Sequence, residues 1–294
     1  MKKGTIIALI IAAVLIVAGG VLLVLGLSFA GDSVVTVAPA EKNYVVDAPF
    51  ESIRVETATC NVDFQKADGS FKVSCPDSEK FSYTVTVEEN TLCVRQVDLR
   101  QWYDFIDIHL NEEKITVYLP KETYDTLYIE TDTGDISLLD SFTFTSATLL
   151  SDTGDVGFAA QVTEELSVTT DTGDIRVRGS APESLTLSIN TGRIRVEDVS
   201  CGELTCESNT GEVKLKNVLS TGAIQLQTDT GDITIENCDA ESANILSDTG
   251  DIFGNFLTSK WFQATSDTGR VSVPKTREGG LCQIVTNTGD ITFS

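Results

Sequence analysis

The chain has 294 residues, with 44 acidic and 21 basic side chains and a formal charge of −23. So negative a surface argues against nucleic acid and anionic lipid as partners; it favours solubility outside the cell and suits divalent cations or cationic ligands. A single histidine, and seven cysteines (Cys60, Cys75, Cys93, Cys201, Cys206, Cys238, Cys282) with no two spaced as a metal pair, exclude the common zinc frameworks.

Ile6 to Leu27 form a nearly unbroken apolar run of 22 residues behind Lys2 and Lys3. That length at helical rise crosses a bilayer core, and the paired lysines favour a cytoplasmic N-terminus. Residues 1–30 are therefore expected to be a cytoplasmic stub and one transmembrane helix, anchoring a single-pass protein to the cell membrane through residues 6–27. Ser28-Phe29-Ala30 also offers a signal-peptidase site, but the apolar run is long for a cleaved leader. On either reading the C-terminal part is exported.

Residues 31–49 read as a spacer, with some strand character at Ser33 to Val37. Residues 50–126 hold strand-like segments such as Ile53 to Glu56, Tyr83 to Val87 and Ile115 to Leu119, expected to form irregular β coils and the cap that a solenoid end needs. Within them, Glu56-Thr57-Ala58-Thr59-Cys60-Asn61-Val62 is an imperfect copy of a later motif, with Cys60 where its glycine would stand. Trp102, Tyr103, Phe105, Ile106 and His109 are expected to pack over the first coil.

In residues 127–294 an Asp/Asn-Thr-Gly triplet, usually followed by an acid, recurs nine times. Its glycines are Gly134, Gly154, Gly173, Gly192, Gly211, Gly231, Gly250, Gly269 and Gly289, in steps of 19 or 20 residues. A fixed period means one small unit copied and stacked. Two residues past each glycine stand Ile136, Val156, Ile175, Ile194, Val213, Ile233, Ile252, Val271 and Ile291, all β-branched. Apolar residues also recur five and seven positions upstream, as at Leu187 and Leu185. The inward phase slips by one at Thr-Gly, which marks a corner where glycine takes a positive φ. Each copy is strand, corner, strand and a variable connection such as Arg178 to Glu183. A unit of 19 residues is half a propeller blade and carries no helix period, but it fits one turn of a parallel β-helix with coils about 4.8 Å apart. The last coil, ending at Phe293 and Ser294, is expected to be an open edge able to self-associate.

Asp-Thr-Gly also surrounds the catalytic aspartates of aspartic proteases, which need two of them sharing one proton. Nine periodic copies, three with Asn instead of Asp, do not fit that chemistry. The carboxylates are expected to bond backbone amides of their own corner, while Arg193 and Arg270 relieve repulsion within the columns. The competing reading is Ca²⁺ binding by Asp132, Asp135, Asp152, Asp155, Asp171 and Asp174, and by Asp229, Asp232, Asp248 and Asp251, where acids run uninterrupted. The nine threonines before the glycines suggest hydroxyls bonded along the stack rather than an ice-binding array. Buried free thiols are expected of the cysteines. If disulfides form, Cys201–Cys206 and Cys60–Cys75 are the near neighbours.

The Tyr118-Leu119-Pro120 step followed by repeated Leu-x-Ile-x-Thr-Asp-Thr-Gly-Asp-Ile-x-Leu resembles the bacterial "putative adhesin" β-strand-repeat proteins, the DUF4097 group, over Phe50 to Ser294. The resemblance implies a right-handed β-helix at the cell surface, linked to envelope stress, with no catalytic residues to carry over. The expected class is thus all-β, a right-handed parallel β-helix behind one transmembrane helix. The expected function is a non-enzymatic interaction, adhesion or envelope-stress module that needs no cofactor and meets a cell-envelope component or surface protein. The alternatives are a polysaccharide-acting β-helix enzyme and a Ca²⁺-stabilised rod.

Overall fold

In a computed structural model of the protein, residues 41–100 and 113–294 are described. The expected transmembrane helix and the cluster from Trp102 to His109 lie outside them. The described residues are all β, and no helix among them is long and apolar enough to cross a membrane. Residues Ala40–Ser294 form one compact unit.

Each repeat copy lays down a long strand before its glycine and a short strand after it. Long strands such as Ser184–Thr191, Glu203–Thr210 and Ala223–Thr230 stack in parallel in a 12-stranded sheet. Short strands such as Ile175–Arg178, Ile194–Glu197 and Val213–Lys216 stack in a 13-stranded sheet. Register is kept copy to copy: Leu187 faces Cys206, which faces Leu226, which faces Ile245. Ile194, Val213, Ile233 and Ile252 are aligned in the same way. The core is therefore a set of ladders of like side chains running along the axis, and the parallel β-solenoid expected from the period is the fold.

The corner explains why the glycine never varies. Gly211 has φ +145°, and a Cβ there would stand 1.6 Å from the carbonyl oxygen of Gly192 in the adjacent coil. Gly192 has φ +143°, and its Cβ would meet the Gly173 oxygen at 1.7 Å. Both the torsion and the close stacking of backbones admit only glycine. Cys60 holds the corresponding place one coil earlier, since a Cβ on Gly134 would meet the Cys60 oxygen at 2.3 Å.

A second corner lies in what reads from sequence as variable connection. Gly179, Asp198, Asn217 and Asn237 have φ of 68°, 55°, 52° and 54°. Asn and Asp tolerate this left-handed region better than other side chains. Here they also form a ladder, Asn217 Nδ2 donating to Asp198 Oδ1 at 2.7 Å. Beyond it, Ser200–Cys201 and Leu219–Ser220 pair as a short third face.

Stacking order departs from chain order at both ends. The Gly289 coil (Gly280–Thr288 and Ile291–Phe293) lies between the Gly250 coil (Ser242–Thr249 and Ile252–Phe256) and the Gly269 coil (Lys260–Thr268 and Val271–Ser272). The last coil is therefore not the open edge. Phe293 is only 5 % exposed, with Phe256 stacked on it at 5.7 Å and Phe262 at 5.3 Å. The physical reason is composition: the Gly289 copy offers Cys282, Ile284, Ile291 and Phe293 to the core. The Gly269 copy offers Phe262, Ala264 and Val271 at the places of Cys282, Ile284 and Ile291; its larger Phe262 apart, it has less apolar side chain to bury and loses less by lying outermost.

At the opposite end, the coil of Ser52–Thr57 and Asn61–Lys66 sits between the Gly134 coil and the coil of Thr91–Asp98 and Lys114–Leu119. Antiparallel strands then close both sheets. Phe81–Glu88 pairs with Thr91–Asp98, while Lys72–Pro76 and then Glu41–Tyr44 extend from Lys114–Leu119. Beneath this closure Phe50, Tyr124 and Phe144 stack with ring centroids 5.9 and 6.1 Å apart, and Phe71 meets Phe50 edge-on at 4.9 Å.

Candidate functional site

The residue after each glycine is tied to the next coil. The backbone N–H of Asp155 donates to Asp135 Oδ1, and that of Asp174 to Asp155 Oδ1, both at 2.8 Å. Asp251 donates to Asp232, and Asp290 to Asp251, at the same distance. This corrects the expectation that each carboxylate bonds its own corner: a coil is one strand spacing away, so the nearest free amide belongs to the neighbour. The other column, with Asp132, Asp152, Asp171, Asp229 and Asp248, lies exposed on the same edge. Asn residues knit part of it, Asn190 Nδ2 donating to Asp171 at 2.8 Å and Asn287 Nδ2 to Asp248 at 3.2 Å. Among the described residues no group of three or more His, Cys, Asp or Glu is placed to hold a metal.

Inside the corner a hydroxyl column bonds along the stack. Thr170, Ser266 and Thr286 donate to the carbonyls of Gly154, Gly289 and Gly250 at 3.4, 2.8 and 3.2 Å. These hydroxyls stand one residue before each triplet, whereas the triplet's own threonines, such as Thr172, Thr268 and Thr288, are exposed. The expected hydroxyl ladder is therefore carried by the column two residues upstream, and the scaffold uses chiefly the glycine and the acid behind it.

Where the glycine is missing, a polar plug replaces it. Gln96 Oε1 accepts from the amides of Ala58 and Thr59 at 2.7 and 3.2 Å and from Thr57 Oγ1 at 2.7 Å. Gln96 Nε2 reaches the Tyr83 hydroxyl, which lies 3.1 Å from Cys60 Sγ. Burial pushes the Cys60 thiol above its ordinary range despite these hydrogen bonds. That is the opposite of an activated nucleophile. All seven cysteines are buried free thiols, so neither Cys60–Cys75 nor Cys201–Cys206 is bridged. Burial lifts Cys75 and Cys282 to about 12, and Cys201 and Cys238 to about 11.

The outer face of the short-strand sheet carries what the scaffold does not consume. Arg176, Arg195 and Lys214 stand side by side on adjacent strands. With Arg178, Arg193 and Lys216 they gather six of the chain's 21 basic residues on three successive coils. Arg193 and Arg176 both reach Asp174 Oδ2 at 2.7 Å. Burial pushes the Asp174 carboxyl up, but the Arg193 hydrogen bonds and the two guanidinium charges outweigh it and hold it below the usual carboxylate range. Lys214 pairs with Glu236 at 2.7 Å, whereas Arg195 lies 3.9 Å from Glu212 and Arg178 is exposed. Gly157, in line with Arg176, leaves a shallow cleft of about 390 Å³ bordered by Leu139, Ala159, Arg176, Arg178 and Arg195. Of these cations the sequence pattern assigns a part only to Arg193, as relief of repulsion within the acid column. Their recurrence three and five places after Gly173 and Gly211 was the available signal.

A sequence profile of the Toastrack DUF4097 family matches residues 50–292. The chain belongs to this family. The Toastrack chain is also similar in fold to a "putative adhesin" from Parabacteroides merdae, at 11 % identity over 88 % of this chain and 97 % of that one, with a TM-score of 0.50. A "putative adhesin" from Bacteroides fragilis matches at 14 % identity over 88 % and 98 % of the two chains, with a TM-score of 0.48. A "putative lipid binding protein" from Parabacteroides distasonis matches at 11 % identity over 86 % and 96 %, with a TM-score of 0.41. No curated protein matches it at a significant level. At these identities the likeness concerns the fold.

Proposed function

We propose that this Toastrack protein is a membrane-anchored, extracytoplasmic and non-enzymatic interaction module that presents its Arg176–Lys216 face to an anionic polymer of the cell envelope. The observation that carries the reading is the unbroken row Arg176–Arg195–Lys214 on adjacent strands of a chain whose formal charge is −23, beside a row in which Glu197 separates Arg178 from Lys216. A stiff ladder of cations spaced by one coil matches a linear polyanion lying along the axis, and the surrounding acid repels it elsewhere. The apolar run at residues 6–27 supplies the anchor, and the usual hand of parallel crossovers makes the coil right-handed. A non-enzymatic role is supported by the use of the repeated glycine and of the acid behind it in the scaffold, by thiols pushed away from reactivity, and by the adhesin name of a structural neighbour. Such a module suits adhesion within the envelope or reporting on its state.

The test is retention of the full chain, held in nanodiscs, on purified cell-wall polyanion. Binding is expected at low salt, to weaken as salt rises, and to be lost in Arg178→Glu/Arg195→Glu, a double change that removes no ion pair closer than 3.9 Å among the described residues. Equal binding by that variant, or turnover of the polymer by the wild type, would refute the proposal.

A further inference from the structure

Among the described residues, the Gly269 coil ends the solenoid without a cover. Its Val271 is 44 % exposed, whereas the other eight members of the same column, from Ile136 to Ile291, are at most 1 % exposed. Phe262 and Ala264 are half-buried, while Cys282 and Ile284, in register with them one coil inward, are fully buried. Leu257 (59 %) and Trp261 (41 %) are exposed beside them, and Phe256, Phe262 and Pro274 border a cleft of about 240 Å³. Among the described residues, Lys260–Thr268 has a strand on one side only, and so does Val271–Ser272. Each therefore turns a row of backbone donors and acceptors toward no partner.

This end is built as a firm platform. The buried Lys260 ammonium donates to Asp239 Oδ1 at 2.5 Å, to the Ala240 carbonyl at 2.7 Å and to Thr258 Oγ1 at 2.9 Å, fixing the start of the outermost strand. The charge also changes here. Arg270 stands where most copies have an acid, and Arg270, Lys275 and Arg277 balance Asp267, Glu278 and Asp290. In a chain so acidic elsewhere, this neutral, apolar end is where two copies approach with least repulsion.

We infer that the Gly269 coil docks against the Gly269 coil of a second copy across a two-fold axis, joining two solenoids end to end. The geometry of the opposite end supports the arrangement. There the parallel sheets are closed by antiparallel strands, Phe81–Glu88 and Lys72–Pro76. A two-fold axis at the open end lays the partner's Lys260–Thr268 strand antiparallel to its own counterpart, giving the same closure and a contact that stops at two copies.

The experiment is sedimentation equilibrium of the full chain in density-matched detergent, for the wild type, Val271→Glu, Thr265→Pro and Leu219→Glu. Leu219, exposed on the third face, is the control. A wild-type dimer is expected, with its dissociation constant raised at least about tenfold by Val271→Glu and by Thr265→Pro and unchanged by Leu219→Glu. Val271 is already exposed, so its variant keeps the test valid even where the proline in the outer strand disturbs folding. A wild-type monomer at all concentrations would overturn the inference. So would a dimer that survives Val271→Glu, since it would be held elsewhere in the chain.

Discussion

The two ends of the solenoid solve one problem in different ways. A stack of parallel coils leaves an open row of backbone groups and a slice of core at each tip. At the end nearer Tyr44, hydrogen-bonded antiparallel strands cover both sheets, and four aromatic rings fill the layer beneath. At the end nearer Ser272, the outermost coil is an ordinary repeat with smaller inward residues and a half-exposed core face. A cap costs residues that do not repeat, which is why the first end departs from the 19-residue period and the second keeps it. Keeping the period also keeps a strand edge on offer.

The largest expected effect lies between the ends and sets the scale for both. Gly211→Val puts a branched side chain into the Gly192 carbonyl and should cost more than about 4 kcal/mol or abolish folding, read from denaturant melts. Gly69→Ala, in the capped region with nothing within 4 Å of its Cβ, should cost only about 1 kcal/mol, for its positive φ. Next, Phe144→Ala in the sealed stack should cost about 3–5 kcal/mol and Phe262→Ala about half that under dilute conditions. Equal losses would mean that the Gly269 end is as well covered as the other.

Acid sharpens the comparison further. Burial pushes the Asp239 carboxyl up, but the hydrogen bonds from Lys260 and Thr258 prevail and hold it below its ordinary range. Glu56 near the capped end is depressed in the same way by Arg95 and Arg54. A carboxylate depressed by folding adds stability above its unfolded pKa and loses it as pH falls through the folded value. Unfolding free energy should therefore hold from neutrality down to about pH 5 and fall below about pH 4. Asp239→Asn should remove part of that acid limb and lower neutral stability by about 2 kcal/mol, because it strands the buried Lys260 charge. Smallest of all, the melting temperature should not move with millimolar Ca²⁺ or with chelator. An upward shift with Ca²⁺ would return the columns Asp132 to Asp174 and Asp229 to Asp251 to consideration as cation sites.

What could be read in advance follows from how periodic each feature is. The Thr-Gly corner and the columns through Ile194 and Leu187 repeat nine times, so a phase slip and a spacing were enough to give coil, corner and core. Cys60 in the glycine's place was legible for the same reason. The second corner was missed because three residue types, glycine at Gly179, aspartate at Asp198 and asparagine at Asn217 and Asn237, answer one left-handed torsion, so no single letter marks the whole set. The swap of the last two coils was illegible because both copies carry the same corner, and only the size of their inward residues decides which lies deeper. The cationic face needed charge to be read across strands, where Arg176, Arg195 and Lys214 are neighbours though 19 residues apart in the chain.

Because the Gly289 coil is wedged between two others, tension applied at Ser294 cannot strip the ribbon away one turn at a time from its tip. The Gly269 winding must be lifted off or sheared past first, so two sheets' worth of hydrogen bonds on both flanks resist together. A rope end tucked under its own last turn holds by the same principle. Under load at its C-terminal strand the solenoid thus has a mechanical lock.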